Sequence, residues 1–275
     1  MSQHGPPRTP PTKQELMQRL EFQSRNLRED GHDDGHQSPP GTPVQVTAEP
    51  DVDRAFAAVL ATAPSSAPMQ PREILIPGDG RFGRGAPPFV IDNLLTEAEC
   101  EQLIALSERS GYACAAVNVG GKQVFRDEVR RTSRCMVDVP VAAGIIFERL
   151  RPFFPPNGPR AGWARCVGLN ERLRFLRYDP GDYFKPHQDG NYERPAGHPR
   201  AGDTSLLTLM IYLNTPAKGG ETNFLSYGGG RATSVMPTTG LALVFDHDLL
   251  HEGAPLFKGC KYCIRTDVMY TRRKD

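Results

Sequence analysis

From residue 165 onward the sequence is a series of short apolar runs separated by turn signals, and this pattern constrains the fold most. The runs are "LRFLRYD", "SLLTLMIYLN", "GLALVFD" and "KYCIRTDVMY". Between them lie "DPGD", "AKGGET", "YGGGRA" and "MPTTG", rich in the residues that turns require. No helical period intervenes, so an antiparallel β-sandwich or barrel is expected. "SLLTLMIYLN" is apolar almost throughout, as for a strand buried on both faces. "LRFLRYD" alternates Leu173, Phe175 and Arg177 against Arg174, Leu176 and Tyr178.

Helices precede this β region. "PFVIDNLLTEAECEQLIALSERSGY" (88–112) reads as a strand, a turn and a helix. Thr96 and Glu99 form a capping box, and Gly111 ends the helix. A second helix is expected over 141–151, before the breaker "PFFPPNGP". Residues 1–70 are rich in Pro, Gln, Ser and Asp and cannot bury enough apolar surface to offset the entropy of ordering. They are expected to form a disordered or weakly helical extension, with short helices around 12–27 and 51–62. Residues 71–85 then form a linker, and 86–275 the main domain.

Composition excludes several classes. The formal net charge of +1 gives no electrostatic footprint for nucleic acid or an anionic membrane. No apolar run approaches the length of a membrane span. "MSQHGPPRTPPTKQ" has no apolar core of a secretory signal, so a cytoplasmic or nuclear, non-secreted protein is expected. The six cysteines (100, 114, 135, 166, 260 and 263) are then reduced thiols. The lone pair Cys260 and Cys263 is a weak zinc signal.

"YFKPHQDGNY" (183–192) carries the chemistry. His187 and Asp189 are two apart, so in an extended strand both side chains project from one face. A third ligand must come from elsewhere. His198 lies in a Pro/Gly loop and is expected at the surface, while His247 and His251, in "FDHDLLHEG", are both open. Two histidines and one carboxylate on one face of a metal leave three positions free and suit non-haem Fe(II). In "GCKYCIRTDVMY", Lys261, Cys263, Arg265 and Asp267 share one strand face. Two cations on a buried face suggest an anion between them, unless Arg265 simply pairs with Asp267. Arg130, Arg131 and Arg134 could bind a substrate anion or form a solvated basic face.

"FVIDNLLTEAECEQLI", "RYDPGDYFKPHQD", "LTLMIYLN", "GGETNF", "PTTGLALVFDHDLLHEG" and "GCKYCIRTDVMY" occur here in that order. Together they resemble the 2-oxoglutarate/Fe(II)-dependent dioxygenases, specifically the prolyl 4-hydroxylase-like branch, over roughly 86–275. The resemblance implies a mainly β fold with supporting helices, its core a double-stranded β-helix (jelly roll). It implies His187, Asp189 and His251 as metal ligands, His251 being preferred to His247 because Lys261 follows it by ten positions. Lys261 would hold the far carboxylate of oxoglutarate, with Arg265 as second candidate; Tyr178 and Thr208 would also contact the cosubstrate. Tyr192 and Arg194, just past the metal ligands, could reach the substrate. His247 is then a supporting or surface group, and Asp246 or Asp248 could orient a ligand imidazole.

The implied activity is hydroxylation of an unactivated C–H bond, coupled to decarboxylation of 2-oxoglutarate to succinate and CO2. Fe(II), 2-oxoglutarate and O2 would take part, with ascorbate as reductant. The substrate would be a prolyl or other side chain of a peptide. The alternatives are a free small molecule, or a non-catalytic metal-binding scaffold. Oligomeric state is open.

Overall fold

A computed structural model describes residues 45–46, 50–61, 67–76, 87–119, 122–154, 158–159, 162–226 and 231–272. The helix expected around 12–27 lies outside the described residues.

Two sheets face each other. In chain order the elements used below are α1 (Pro50–Leu60), β1 (Phe89–Ile91), α2 (Glu97–Ser110), β2 (Arg130–Arg131), β3 (Ser133–Asp138) and α3 (Pro140–Leu150). The β region follows as β4 (Trp163–Leu169), β5 (Arg172–Tyr178), β6 (Tyr183–His187), β7 (Thr204–Tyr212), β8 (Thr222–Leu225) and β9 (Arg231–Val235). It ends with β10 (Ala242–Asp246), β11 (His251–Gly253) and β12 (Lys261–Arg272). The larger sheet runs β3-β5-β12-β7-β10-β1, with β4 also paired to β12. The smaller sheet runs β9-β8-β11-β6-β2. The eight strands β5 to β12 thus divide between the sheets as β5-β12-β7-β10 and β6-β11-β8-β9, with antiparallel neighbours. That strand order is a jelly roll.

Alternation along the larger sheet separates two cores. Leu173, Phe175, Leu209, Ile211, Val244 and Ile264 face the helices. Leu176, Tyr178, Met210, Tyr212, Leu243, Phe245 and Cys263 face the smaller sheet. Every residue of β7 is buried, because it sits mid-sheet with side chains in both cores. This is why its sequence is apolar without a break.

The capping box at α2 is present: Thr96 accepts from the Glu99 amide, and Glu99 accepts from the Thr96 amide (2.8 Å). α3 has no cap from its own flank. Instead Asp53, on α1, accepts from the amides of Val141 and Ala142, both at 3.1 Å. Phe56 and Leu60 of α1 are buried in the helix-side core. Arg149 then joins three segments, donating to the Leu60 and Leu94 carbonyls and pairing with buried Glu99 at 2.6 Å. The stretch 50–60 was expected in the free extension but packs as part of the body. Of the expected linker, Pro71–Glu73 is a strand paired with β1.

Candidate metal centre

β6 and β11 are neighbours in the smaller sheet, and their register places His187 directly opposite His251. The two rings are 4.3 Å apart between centroids. Beyond the end of β6 the chain stays pinned: the Asp189 amide donates to the His247 carbonyl (3.0 Å), and the Gln188 side chain donates to the Asp248 carbonyl. Asp189 is thereby held beside both imidazoles. Its carboxylate oxygens lie 3.9 Å from His187 Nε2 and 3.8 Å from His251 Nε2. One ligand atom from each of the three residues falls within 4.8 Å of the other two.

The hydrogen bonds fix which nitrogen is available. His187 Nδ1 lies 2.7 Å from the Lys185 carbonyl, and His251 Nδ1 lies 2.9 Å from the Leu249 carbonyl. A carbonyl only accepts, so both Nδ1 atoms carry the proton. Both Nε2 lone pairs therefore face the shared space, the arrangement a metal-binding imidazole needs. The orienting acceptors are main-chain carbonyls, not Asp246 or Asp248. Phe184 stacks on His187 with centroids 3.6 Å apart and holds the ring in plane.

Electrostatics favour the ligand forms. Burial lowers the pKa of both imidazoles below the ordinary value, that of His187 well below, so both are neutral near pH 7. Burial alone would raise the Asp189 pKa, but Arg265 and the histidines hold it below the usual carboxylate range. Two neutral imidazoles and one carboxylate, free of backbone restraint on their metal-facing atoms, fit a divalent cation such as Fe(II).

Lys261 is on β12, in the larger sheet, in register with Tyr178 of β5. It is 1% exposed. Its Nζ donates to the Gly220 carbonyl (2.6 Å) and lies over the Tyr178 and Tyr212 rings at 4.6 and 5.4 Å. Among the described residues no carboxylate pairs with it. Burial lowers its pKa below the ordinary lysine value. A buried ammonium with one carbonyl and two aromatic faces is ready for an anion.

Arg265, the second candidate, lines the pocket too but is already paired. It pairs with Asp189 at 3.0 Å and with Asp267 at 3.4 Å. Thr208 donates its hydroxyl to Asp189, so it supports the acidic ligand and does not line the pocket. Tyr178 does line the pocket. Arg194 is a correction. It is buried, donates to Glu171 (2.8 Å), contacts His198, and secures its own loop. Tyr192 joins that loop to Ser205 through its backbone. Neither lines the pocket. His198, expected at the surface, is half-buried against Arg194. His247 is fully buried, with Nδ1 on the Gly190 carbonyl, and is outside the three-residue group.

Met210, Thr222, Phe184 and Arg174 also line the pocket. Arg174 was legible: it shares the period-2 face of β5 with Leu176 and Tyr178, both pocket residues. The Gly220 carbonyl that receives Lys261 has no side-chain signature.

Residues 173–266 match the family model described as the 2OG-Fe(II) oxygenase superfamily. Among curated relatives, prolyl 4-hydroxylase 5 of Arabidopsis thaliana is 28% identical over 200 residues, and prolyl 4-hydroxylase 1 of the same plant is 27% identical over 194. Each alignment takes in 63% of this chain and 65% of the relative, so the chain spans about two thirds of their length. Among solved structures, the viral collagen prolyl hydroxylase of Paramecium Bursaria Chlorella virus-1, in its 2OG complex, is 24% identical. That match covers 69% of this chain and 97% of the viral chain, at a TM-score of 0.46. A prolyl hydroxylase from Trichoplax adhaerens, solved with a hypoxia inducible factor peptide fragment, is 15% identical. It covers 79% of this chain and 89% of its own, at a TM-score of 0.49. These structural likenesses are loose, and the jelly roll stands on the strand order itself. By the match over 173–266 and its curated relatives, the chain is similar to the 2OG-Fe(II) oxygenase superfamily and, within it, to prolyl 4-hydroxylases.

Proposed function

We propose that this protein is an Fe(II)- and 2-oxoglutarate-dependent dioxygenase that hydroxylates an unactivated C–H bond, with a prolyl residue of a peptide as substrate. The observation that carries the reading is the His187–Asp189–His251 group, with both Nε2 atoms turned inward beside a buried lysine that has no carboxylate partner among the described residues. The superfamily works with Fe(II), 2-oxoglutarate and O2. The curated relatives, all prolyl 4-hydroxylases, support the choice of proline.

His187, Asp189 and His251 would hold the iron. Bound there, iron and 2-oxoglutarate supply O2 activation, with decarboxylation to succinate and CO2 driving oxygen insertion into the substrate. The chain's own residues do the rest. Lys261 would give the far carboxylate of oxoglutarate its counter-charge, strengthened by the burial of the ammonium. Tyr178 and Tyr212 flank the ammonium and fix its direction. Leu176 and Met210 give the pocket apolar walls that exclude water. Thr208 and Arg265 hold the Asp189 carboxylate in position.

The test is succinate formation from 2-oxoglutarate with Fe(II) and ascorbate, the proposed reductant, with and without proline-rich peptides. Turnover in the wild type, lost in the His187→Ala/Asp189→Ala double variant, supports the reading. Equal succinate from both proteins would leave only a non-catalytic scaffold.

A further inference from the structure

The pocket has a second buried cation besides Lys261. Arg130 is in β2, the edge strand of the smaller sheet, directly opposite Phe184 of β6. It is 9% exposed. Its Nε donates to Thr132 Oγ1 at 2.8 Å, and its guanidinium lies over the Phe184 ring at 4.5 Å. That ring in turn stacks on His187. Arg130 lines the same pocket as the metal-binding group.

Among the described residues, no carboxylate lies within ion-pair distance of Arg130, and its two terminal nitrogens donate to nothing. The neighbouring arginines differ. Arg265 has Asp189 and Asp267, and Arg174 has Asp267. Asp189 attracts Arg130 only at longer range, and Arg265 repels it. A guanidinium keeps its proton under all ordinary conditions, so Arg130 cannot escape the cost of burial by neutralising itself. Arg131, next in sequence, is exposed. Of the two sequence readings, a solvated face and an anion site, burial removes Arg130 from the first.

We infer that Arg130 receives a carboxylate of the substrate, so that the oxidised carbon belongs to a molecule bearing an acidic group close by. This rests on the dioxygenase reading and deepens it. The planar fork of a guanidinium matches a carboxylate with two parallel hydrogen bonds. Two features separate this subsite from that of oxoglutarate. Lys261 is on the larger sheet among tyrosines, whereas Arg130 is at the edge of the smaller one, over the Phe184 ring that stacks on His187. The carboxylate could come from an acidic residue flanking the target proline, or from the free acid of a small molecule.

Binding of paired probes tests this, measured by calorimetry on the full chain with saturating 2-oxoglutarate. One pair is Ac-Glu-Pro-NH2 and Ac-Gln-Pro-NH2; the other is N-acetyl-L-proline and its methylamide. The acid of at least one pair should bind on the order of tenfold tighter than its neutral partner. Which pair discriminates identifies the source. Arg130→Gln should erase the difference, and Arg130→Lys should keep part of it. Equal binding of acid and amide overturns the inference, as does no binding of either acid or discrimination that survives in Arg130→Gln. An Arg130→Gln protein whose discrimination persists while its oxoglutarate requirement rises would assign the residue to the cosubstrate. If Arg130→Gln does not fold, the wild type and Arg130→Lys decide. Probe-free decarboxylation by the wild type reports separately. Discrimination without decarboxylation sinks the activity and keeps the site; decarboxylation without discrimination does the reverse.

Discussion

The Arg265 guanidinium lies 3.0 Å from the Asp189 carboxylate, so the acidic metal ligand has a protein cation at its side. Arg265→Gln removes that cation and leaves a nearly buried carboxylate. The metal-free variant should lose about 2–3 kcal/mol in urea unfolding, toward the low end for a broken buried pair because Arg265 is partly exposed. Added Mn(II) should then stabilise the variant more than the wild type, since the metal supplies the missing charge. Equal metal stabilisation of the two proteins would show that Arg265 does not compensate Asp189.

Lys261 makes the opposite prediction for the metal-free state. Its buried ammonium has no carboxylate among the described residues, so Lys261→Met should leave thermal stability unchanged or raised without oxoglutarate. Oxoglutarate binding should weaken by about 3–5 kcal/mol, a hundredfold or more. Thermal melts with and without oxoglutarate measure both effects. Loss of oxoglutarate stabilisation in Arg265→Gln, with Lys261→Met unaffected, would reverse the two roles.

The imidazoles predict how stability responds to acid. Burial puts the folded-state pKa of His187 and His251 below the unfolded value of about 6.5. Below that pH the unfolded chain binds more protons than the folded one. Stability of the metal-free protein is therefore fully present above about pH 6.5 and falls as pH drops toward the folded-state values. The slope approaches about 1.4 kcal/mol per pH unit for each histidine. Urea melts between pH 8 and 5 measure it, and His187→Gln should flatten the profile. A wild-type curve level over that range would contradict neutral, buried imidazoles.

α1 is predicted to be structural. Phe56→Ala should cost about 3–5 kcal/mol, as for a buried aromatic. Asp53→Ala removes the cap of α3 and should cost about 1 kcal/mol, up to 2. Chemical denaturation of both variants measures this. Changes near zero would return 50–60 to a free extension.

Much of this architecture can be read along the chain because strand periodicity shows in side chains. Leu173 and Phe175 against Leu176 and Tyr178 gave the two faces of β5, and unbroken β7 gave a central strand. The spacing of His187 and Asp189 pointed to the pair, but Asp189 lies past the end of β6 and is held there by the His247 carbonyl, not by strand periodicity. What could not be read depends on partners far away in sequence or on the backbone. Arg194 turns to Glu171, and Asp53 caps a helix 88 residues on. The carbonyls of Lys185, Leu249 and Gly220 aim the site's side chains, yet any residue type could supply them. α1 was misplaced because a short apolar stripe within polar sequence does not show what it packs against.

A metal titration tests the central claim most directly. Mn(II) or anaerobic Fe(II) added to the purified chain should bind with a stoichiometry of one, followed by calorimetry. Each of His187→Ala, Asp189→Ala and His251→Ala should abolish that binding, while His247→Ala leaves it measurable. Full-affinity binding retained in His251→Ala, or no stoichiometric binding to the wild type, would contradict a centre built from these three residues.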